Sequence, residues 1–294
     1  MRLTLLSLFP EILRGFFESS IMAKATEAGL VSAELVNIRD YATDRHHKCD
    51  DEPFGGGAGM LMLAGPLGRA LEAAGCMPKE PEGRVGTSSG GQSSLDPQSA
   101  PEAQPQSAPV VRTRTIYLTP SGRLFNQAMA AEFAREPHLV VICGRYEGID
   151  QRIIDRYVDD EVSVGDFVLS SGEVAALVLV DTVYRLIPGV ISGESLAEES
   201  FSHGGMELLE YPQYTRPAVY DNLRVPEVLT SGHHANIARW RLRESVRKTL
   251  AYRPELLAAA GLPSEVRKLL REISTEGGED EPHPENPSAA AQGR

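Results

Sequence analysis

With 294 residues the chain can bury one large core or two smaller ones, and its 41% hydrophobic and 24% charged residues are those of a globular protein. A net charge of −12 excludes nucleic-acid binding through overall charge, so any RNA contact needs a local basic patch. Cys49, Cys76 and Cys143 are widely spaced without a C-x-x-C pair, which argues against a disulfide framework and for reduced thiols in a cytoplasmic protein.

Arg2–Leu8 alternates and then runs apolar, predicting a first strand that ends at Phe9-Pro10. Pro10, Glu11 and Arg14 interrupt this apolar start too early for a signal peptide, and no stretch approaches the roughly 20 apolar residues of a membrane span. Glu11–Ala28 carries Ile12, Phe16, Ile21 and Met22 at helical spacing and stops at Gly29; Ala33–Ile38 is the next predicted strand. Strand, helix and strand at this spacing open a βαβ unit and favour a parallel sheet.

Asp44-Arg-His-His-Lys-Cys-Asp-Asp-Glu52 then leads into Pro53-Phe-Gly-Gly-Gly-Ala-Gly59. His46, His47 and Cys49 crowd too closely for zinc-ligand spacing and no second ligand pair follows, so a polar substrate loop is the better reading. The glycines form either a nest of N–H groups for a phosphate or a flexible loop before a helix at Gly65–Ala74. They lack the Gly-Lys-Ser/Thr ending of a P-loop. Met77–Pro109 is mostly Pro, Ser, Gly, Gln and Ala, cannot offset its ordering entropy by burial, and is predicted to be a disordered insertion. Strand Thr115–Thr119, the glycine loop Thr119-Pro-Ser-Gly122 and helix Gln127–Arg135 follow.

The centre of the chain is the apolar run His138-Leu-Val-Val-Ile-Cys143, which breaks into Gly144-Arg-Tyr-Glu-Gly148. A short β-branched run ending in glycine reads as a buried parallel strand delivering a loop, and ligands bind at the carboxyl ends of such strands. Ser163-Val-Gly-Asp-Phe-Val-Leu-Ser-Ser-Gly172 is a second glycine-punctuated loop before a helix at Val174–Leu186. Both loops are either functional or merely turns of the chain, and these residues alone leave that open.

Pro188-Gly189 halts the helix, and Ser192–Tyr214 reads as an interdomain linker or lid. From Val225 the chain turns helical. In Asn236–Tyr252, Arg239, Arg243 and Arg247 share one face, with Ile237, Val246 and Leu250 as the apolar seam. A basic face in an acidic protein favours phosphate-backbone contact over mere solvation. Ser264–Ile273 is a last helix and Thr275–Arg294 a disordered tail.

Several strings, in order, resemble those of the bacterial tRNA (guanine-N1)-methyltransferases, the TrmD family of the knotted SPOUT class. They are Ser7-Leu-Phe-Pro10, Asp50-Asp-Glu-Pro-Phe-Gly-Gly-Gly-Ala-Gly-Met60, Cys143-Gly-Arg-Tyr-Glu-Gly-Ile-Asp150, Gly165-Asp-Phe-Val-Leu169, Arg185-Leu-Ile-Pro-Gly189, Tyr214-Thr-Arg-Pro217 and Ser231-Gly-His-His234. The resemblance runs from Leu3 to about Leu270 and omits the insertion and the tail. It implies methyl transfer from S-adenosylmethionine to N1 of the guanosine immediately 3′ of the anticodon. It also implies an α/β, trefoil-knotted parallel-sheet domain at 1–190, a linker at 191–214, a small helical tRNA-binding domain at 215–274, and a homodimer with composite active sites.

By position, the resemblance puts the cofactor at Tyr117, Leu118, Thr119, Pro120, Gly122, Gly144, Val164, Gly165, Asp166, Phe167, Val168 and Leu169. Tyr146 and Glu147 match residues beside the target base, and Asp44, His46 and Gly59 match further substrate positions. Arg185 would stabilise charge on guanine O6, and a Mg²⁺ ion is implied near Glu147. The family's base is an aspartate before a Ser-Phe pair; here Ala197-Glu-Glu-Ser-Phe201 puts Glu199 there, with His203 a lower-ranked competitor. Two other function classes are a non-catalytic tRNA- or ribosome-binding protein and a phosphate-handling enzyme built on Gly55–Gly59. An acidic residue in the linker argues against the first, and the missing lysine and serine against the second.

Overall fold

The computed structural model describes residues 1–79, 112–202, 206–258 and 261–276. His203, most of the expected insertion and most of the expected tail lie outside the described residues.

The chain divides into two compact units, Met1–Ile191 and Ser192–Arg294. In the first, β1 (Arg2–Ser7) is followed by α1 (Glu11–Phe17), α2 (Ser20–Glu27) and β2 (Ser32–Asn37). The single helix expected over Glu11–Ala28 is therefore two. Ser19 is extended and Ser20 takes φ +55°, a break that helical periodicity cannot register because the apolar spacing survives it. A 3₁₀ turn at Ile38–Tyr41 precedes β3 (Asp50–Asp51) and β4 (Leu61–Met62), an antiparallel pair that clasps the glycine loop between them.

Helix α3 (Ala64–Ala73) comes next, and beyond the insertion follow β5 (Thr113–Leu124), α4 (Gln127–Phe133), β6 (His138–Ile142), α5 (Gln151–Tyr157), β7 (Asp160–Ser163) and α6 (Gly172–Tyr184). The start of the expected insertion is anchored: the Lys79 amide donates to the Arg156 carbonyl at 2.7 Å.

Five strands form one parallel sheet in the order β2-β1-β6-β5-β7. Alternation along the strands sends side chains to two cores. Leu3, Leu5, Leu139, Val141 and Ile116 meet residues of α1, α2, α4 and α6 on one face. Leu6, Val140, Ile142 and Tyr117 meet α3 and α5 on the other. A sheet covered on both faces explains why its central strands read as continuous apolar runs.

The second unit holds α7 (Gly193–Glu198), β8 (Val219–Tyr220), β9 (Leu223–Arg224), α8 (Glu227–Thr230), α9 (His234–Tyr252) and α10 (Ser264–Glu276). Asp221 and Asn222, at φ +50° and +64°, make the two-residue turn joining β8 to β9. Thr275, the start of the expected disordered tail, is helical instead: it donates to the Arg271 and Glu272 carbonyls inside α10.

The expected apolar seam of α9 is also revised. Val246 is buried, but Leu250 is 36% exposed, and the inward face is completed by Ser245 and Thr249. Thr249 Oγ1 donates to the Ser245 carbonyl at 2.7 Å and accepts from the Leu209 amide at 2.9 Å. Its polarity is thereby satisfied, and a polar residue occupies a core position.

Candidate active site

The expected glycine loop after Thr119 is an irregularity within β5, between Leu118 and Arg123, and it meets the loops leaving β6 and β7 at the carboxyl edge of the sheet, where open α/β folds bind ligands. A cleft there is lined by Thr119, Pro120, Val164, Gly165, Phe167 and Leu169 of the expected cofactor residues. Val162, Ser163, Ser171, Gly172 and Ala175 complete it. Sequence reasoning did not include these five, although Gly172 closes the glycine-punctuated string and was the available signal.

The remaining expected cofactor residues sit differently. Tyr117 and Leu118 are 5% exposed and belong to opposite cores beneath the loops. Gly122 presses on β7, where an added Cβ would lie 2.4 Å from the Val162 nitrogen. Asp166 is exposed, and Val168 is 85% exposed.

Glycine is required where loop meets loop. A Cβ on Gly172 would lie 2.5 Å from the Gly144 nitrogen, and the Gly172 amide donates to the Gly144 carbonyl at 2.9 Å. Gly165 takes φ +153°, and the Phe167 ring folds onto it so that a Cβ would meet the ring at 2.3 Å. A mostly apolar cleft with glycine walls, the Thr119 and Ser171 hydroxyls and free backbone edges fits an adenosyl group.

The β6 loop beside this cleft brings together three of the expected substrate residues. Tyr146 takes φ +58°, is 47% exposed and donates from its hydroxyl to Asp50 Oδ1 at 3.4 Å. The Glu147 amide donates to the Met60 carbonyl at 3.0 Å. Its side chain lies against Gly59, where a Cβ would meet Glu147 Cγ and Oε1 at 2.4 Å. Gly59 thus makes the space that the Glu147 carboxylate occupies.

Asp44 is spent on its own loop, accepting from the His46 and Lys48 amides at 2.9 Å each. Burial opposes its ionisation, but these amide donors prevail and hold the carboxyl below its usual range.

Among the described residues no three His, Cys, Asp or Glu side chains gather into a metal-holding group. A Mg²⁺ ion near Glu147 thus rests on the resemblance, with Glu147 as the one carboxylate it names, and no step is derived through a cation.

Arg185 caps the far end of α6, whose first residue lines the cleft. Arg185 follows Gly172 by thirteen residues, about 20 Å along the axis. Arg185 is not among the residues that line the cleft.

In the second unit Glu199 follows α7. Its neighbour Glu198 accepts from the Tyr211 hydroxyl at 2.5 Å and faces Arg241 Nη1 at 3.5 Å, while the Arg241 guanidinium lies 4.8 Å over the Tyr211 ring. Burial first, and then the Glu198 carboxylate, push the Tyr211 phenol up to about 12, so it stays a donor. The Phe201 amide donates to the Leu208 carbonyl at 2.8 Å. The segment expected as an interdomain linker or lid belongs to the second unit.

On α9, Arg239 lies 3.9 Å from Glu272, and Arg247 pairs with Glu244. Arg243 sits on the same helix, one turn from each of them.

Comparison with known proteins agrees with this arrangement. The family model described as tRNA (Guanine-1)-methyltransferase TrmD matches residues 1–259. A tRNA (guanine-N(1)-)-methyltransferase of Treponema denticola is 53% identical over 280 residues, covering 94% of this chain and 100% of the relative. A protein of the same name from Treponema pallidum is 48% identical over 290 residues, covering 97% and 100%. Another from Chloroflexus aggregans is 47% identical over 280 residues, covering 95% and 96%. The match spans the cleft, the Tyr146–Glu147 loop and most of the second unit together, and this chain belongs to the tRNA (guanine-1)-methyltransferase TrmD family.

Proposed function

We propose that this chain transfers a methyl group from S-adenosylmethionine to N1 of the guanosine immediately 3′ of a tRNA anticodon. Membership of the family over residues 1–259 carries the reading, because that span holds both loops joined at Gly144 and Gly172. Thr119, Pro120, Val164, Gly165, Phe167 and Leu169 hold the adenosyl group, with Tyr117, Leu118, Gly122, Gly144, Asp166 and Val168 supporting these loops. When bound, S-adenosylmethionine supplies an electrophilic sulfonium methyl group whose loss leaves S-adenosylhomocysteine.

The chain's own residues orient and deprotonate the base. Tyr146 stacks on guanine, Glu147 accepts from its Watson–Crick edge in the space left by Gly59, and Asp44 and His46 contact neighbouring tRNA. Glu199 takes the N1 proton onto its carboxylate. Arg185 steadies the charge left on O6.

The site is completed by a second copy of the chain. The length of α6 between the cleft and Arg185 supports this, as do Phe167, Val168, Val174 and Val178, all at least 45% exposed beside the cleft. We also infer a SPOUT trefoil knot in the first unit and tRNA binding by residues 215–274, with Arg239, Arg243 and Arg247 on phosphates. No described helix is long and apolar enough to cross a membrane, and we place the protein with its tRNA in the cytoplasm.

The test is incubation of the full chain with isotope-labelled S-adenosylmethionine and a tRNA transcript bearing guanosine at that position, followed by mass spectrometry. Label in 1-methylguanosine at that nucleotide is expected. Cofactor binding by calorimetry with no label on any tRNA would make it a binding protein instead.

A further inference from the structure

Glu173 has no part in the expected site, yet its environment singles it out. It stands in the first turn of α6, immediately after the cleft residue Gly172, and is 0% exposed. Three segments meet at its carboxylate. Ser7, the last residue of β1, donates from Oγ to Glu173 Oε1 at 2.5 Å, and the same Ser7 oxygen accepts from the Phe9 amide at 2.8 Å. Arg145, on the β6 loop, places Nε 3.3 Å from Oε1 and 3.0 Å from Oε2. Its guanidinium rests 4.6 Å over the Phe9 ring, and its side chain is 19% exposed.

A buried ion pair is weak evidence for stability, since an apolar pair of similar volume packs as well. What such a pair does is fix geometry. Arg145 is the residue immediately before Tyr146 and Glu147, and Glu173 immediately follows Ser171 and Gly172 of the cleft. The pair therefore joins the cofactor wall to the guanosine loop one residue on from the Gly144–Gly172 backbone contact. With both joints made, the two loops move as one body. Tyr146 at φ +58° needs such a hold, because a lone loop would relax that backbone.

We propose that Glu173, acting through Arg145, is a positioning residue that sets the Tyr146–Glu147 loop against the cofactor cleft. This deepens the proposed methyltransferase reading and rests on it.

The test compares full-length Glu173→Gln, Arg145→Lys, Glu147→Gln and the Glu173→Gln/Glu147→Gln double variant with wild type. Single-turnover methyl transfer is measured at saturating tRNA and S-adenosylmethionine, and cofactor affinity by calorimetry. Glutamine keeps the size of Glu173 and an acceptor for Ser7 but removes the charge on which Arg145 aligns. Expected are cofactor affinity within about threefold of wild type and transfer slowed by about 10- to 100-fold, the scale for a reacting group misplaced by about 1 Å.

The discriminating result is the double variant, whose loss should fall well short of the product of the two single losses, because Glu173 acts through the loop that carries Glu147. Should Glu173→Gln not fold, Arg145→Lys carries the same test, alone and combined with Glu147→Gln. Losses that multiply, or a wild-type rate in both Glu173→Gln and Arg145→Lys while Glu147→Gln is slow, overturn the positioning role and leave the methyltransferase standing. No methyl transfer by wild type overturns both.

Discussion

Glu199, the proposed base, and the aspartate that the resemblance expects there differ by one methylene, and Glu199 directly follows α7. Glu199→Gln retains size and hydrogen bonding but accepts no proton. Cofactor and tRNA binding are expected to stay near normal, with single-turnover methyl transfer down roughly two to four orders of magnitude. A near wild-type rate for Glu199→Gln combined with an inactive His203→Ala variant would reassign the proton to His203.

His138 offers a second residue-scale test, of stability rather than catalysis. Its Nε2 lies 2.9 Å from Thr4 Oγ1 and its Nδ1 3.1 Å from Thr113 Oγ1, at the start of β6. Burial first, and then the Arg2 charge, hold the imidazole below its ordinary value. The folded state thus resists a proton that the unfolded chain accepts. The associated stability is complete above the unfolded value near pH 6.5 and is lost as pH falls from there through the depressed folded value. Urea unfolding between pH 7.5 and 4.5 should show a smaller acid loss in His138→Gln than in wild type. Identical pH slopes in the two proteins would remove His138 from the account.

Among the elements, β7 is held by a partner distant in sequence. Its Asp160 is held by Arg114 of β5 through Nε at 2.6 Å and Nη2 at 3.1 Å, and Arg114 also reaches Glu132 at 2.6 Å and Glu136 at 3.3 Å. With side-chain exposures of 13% and 8%, this is a buried pair, and removing one side leaves an uncompensated charge. Arg114→Ala should cost about 3–5 kcal/mol in equilibrium unfolding. A loss under about 1 kcal/mol would show that Asp160 finds other donors.

Helix α9 is the element expected to meet RNA. Its ion pairs, Arg239 with Glu272 and Arg247 with Glu244, are surface pairs, worth about 0–1 kcal/mol, and phosphates can displace them. Each substitution Arg239→Ala, Arg243→Ala or Arg247→Ala should flatten the log–log salt dependence of tRNA binding by roughly one unit or less, without changing cofactor affinity. An unaltered slope in the triple variant would mean that this face is only solvated.

For the whole molecule, the proposed composite site makes a prediction that no single chain can meet. Gly144→Trp blocks the cleft loop, since even a Cβ there lies 3.0 Å from the Tyr117 ring. Mixing Gly144→Trp with Glu199→Gln subunits should restore methyl transfer, because half of the mixed dimers' sites combine an intact cleft with an intact base. Two inactive variants that stay inactive when mixed, despite forming heterodimers, would place both functions in one subunit.

By itself the sequence determined the βαβ opening, the central strand β6, the loops that carry chemistry and, through ordered motifs, the family. Those features are local: apolar runs report strands buried on both faces, and glycines report loops that must approach closely. Only the tertiary structure decided the places where polarity is buried. β7 went unread because Asp160 looks like a loop residue until Arg114 is beside it. Thr249 breaks the expected apolar seam of α9, and its place in the core rests on the Ser245 carbonyl and the Leu209 amide, the latter forty residues away. Glu173 looked like an ordinary helix start until Ser7 and Arg145 closed on its carboxylate. A buried polar group is tolerated only when its partner is present, and partners far apart in sequence leave no periodicity to read.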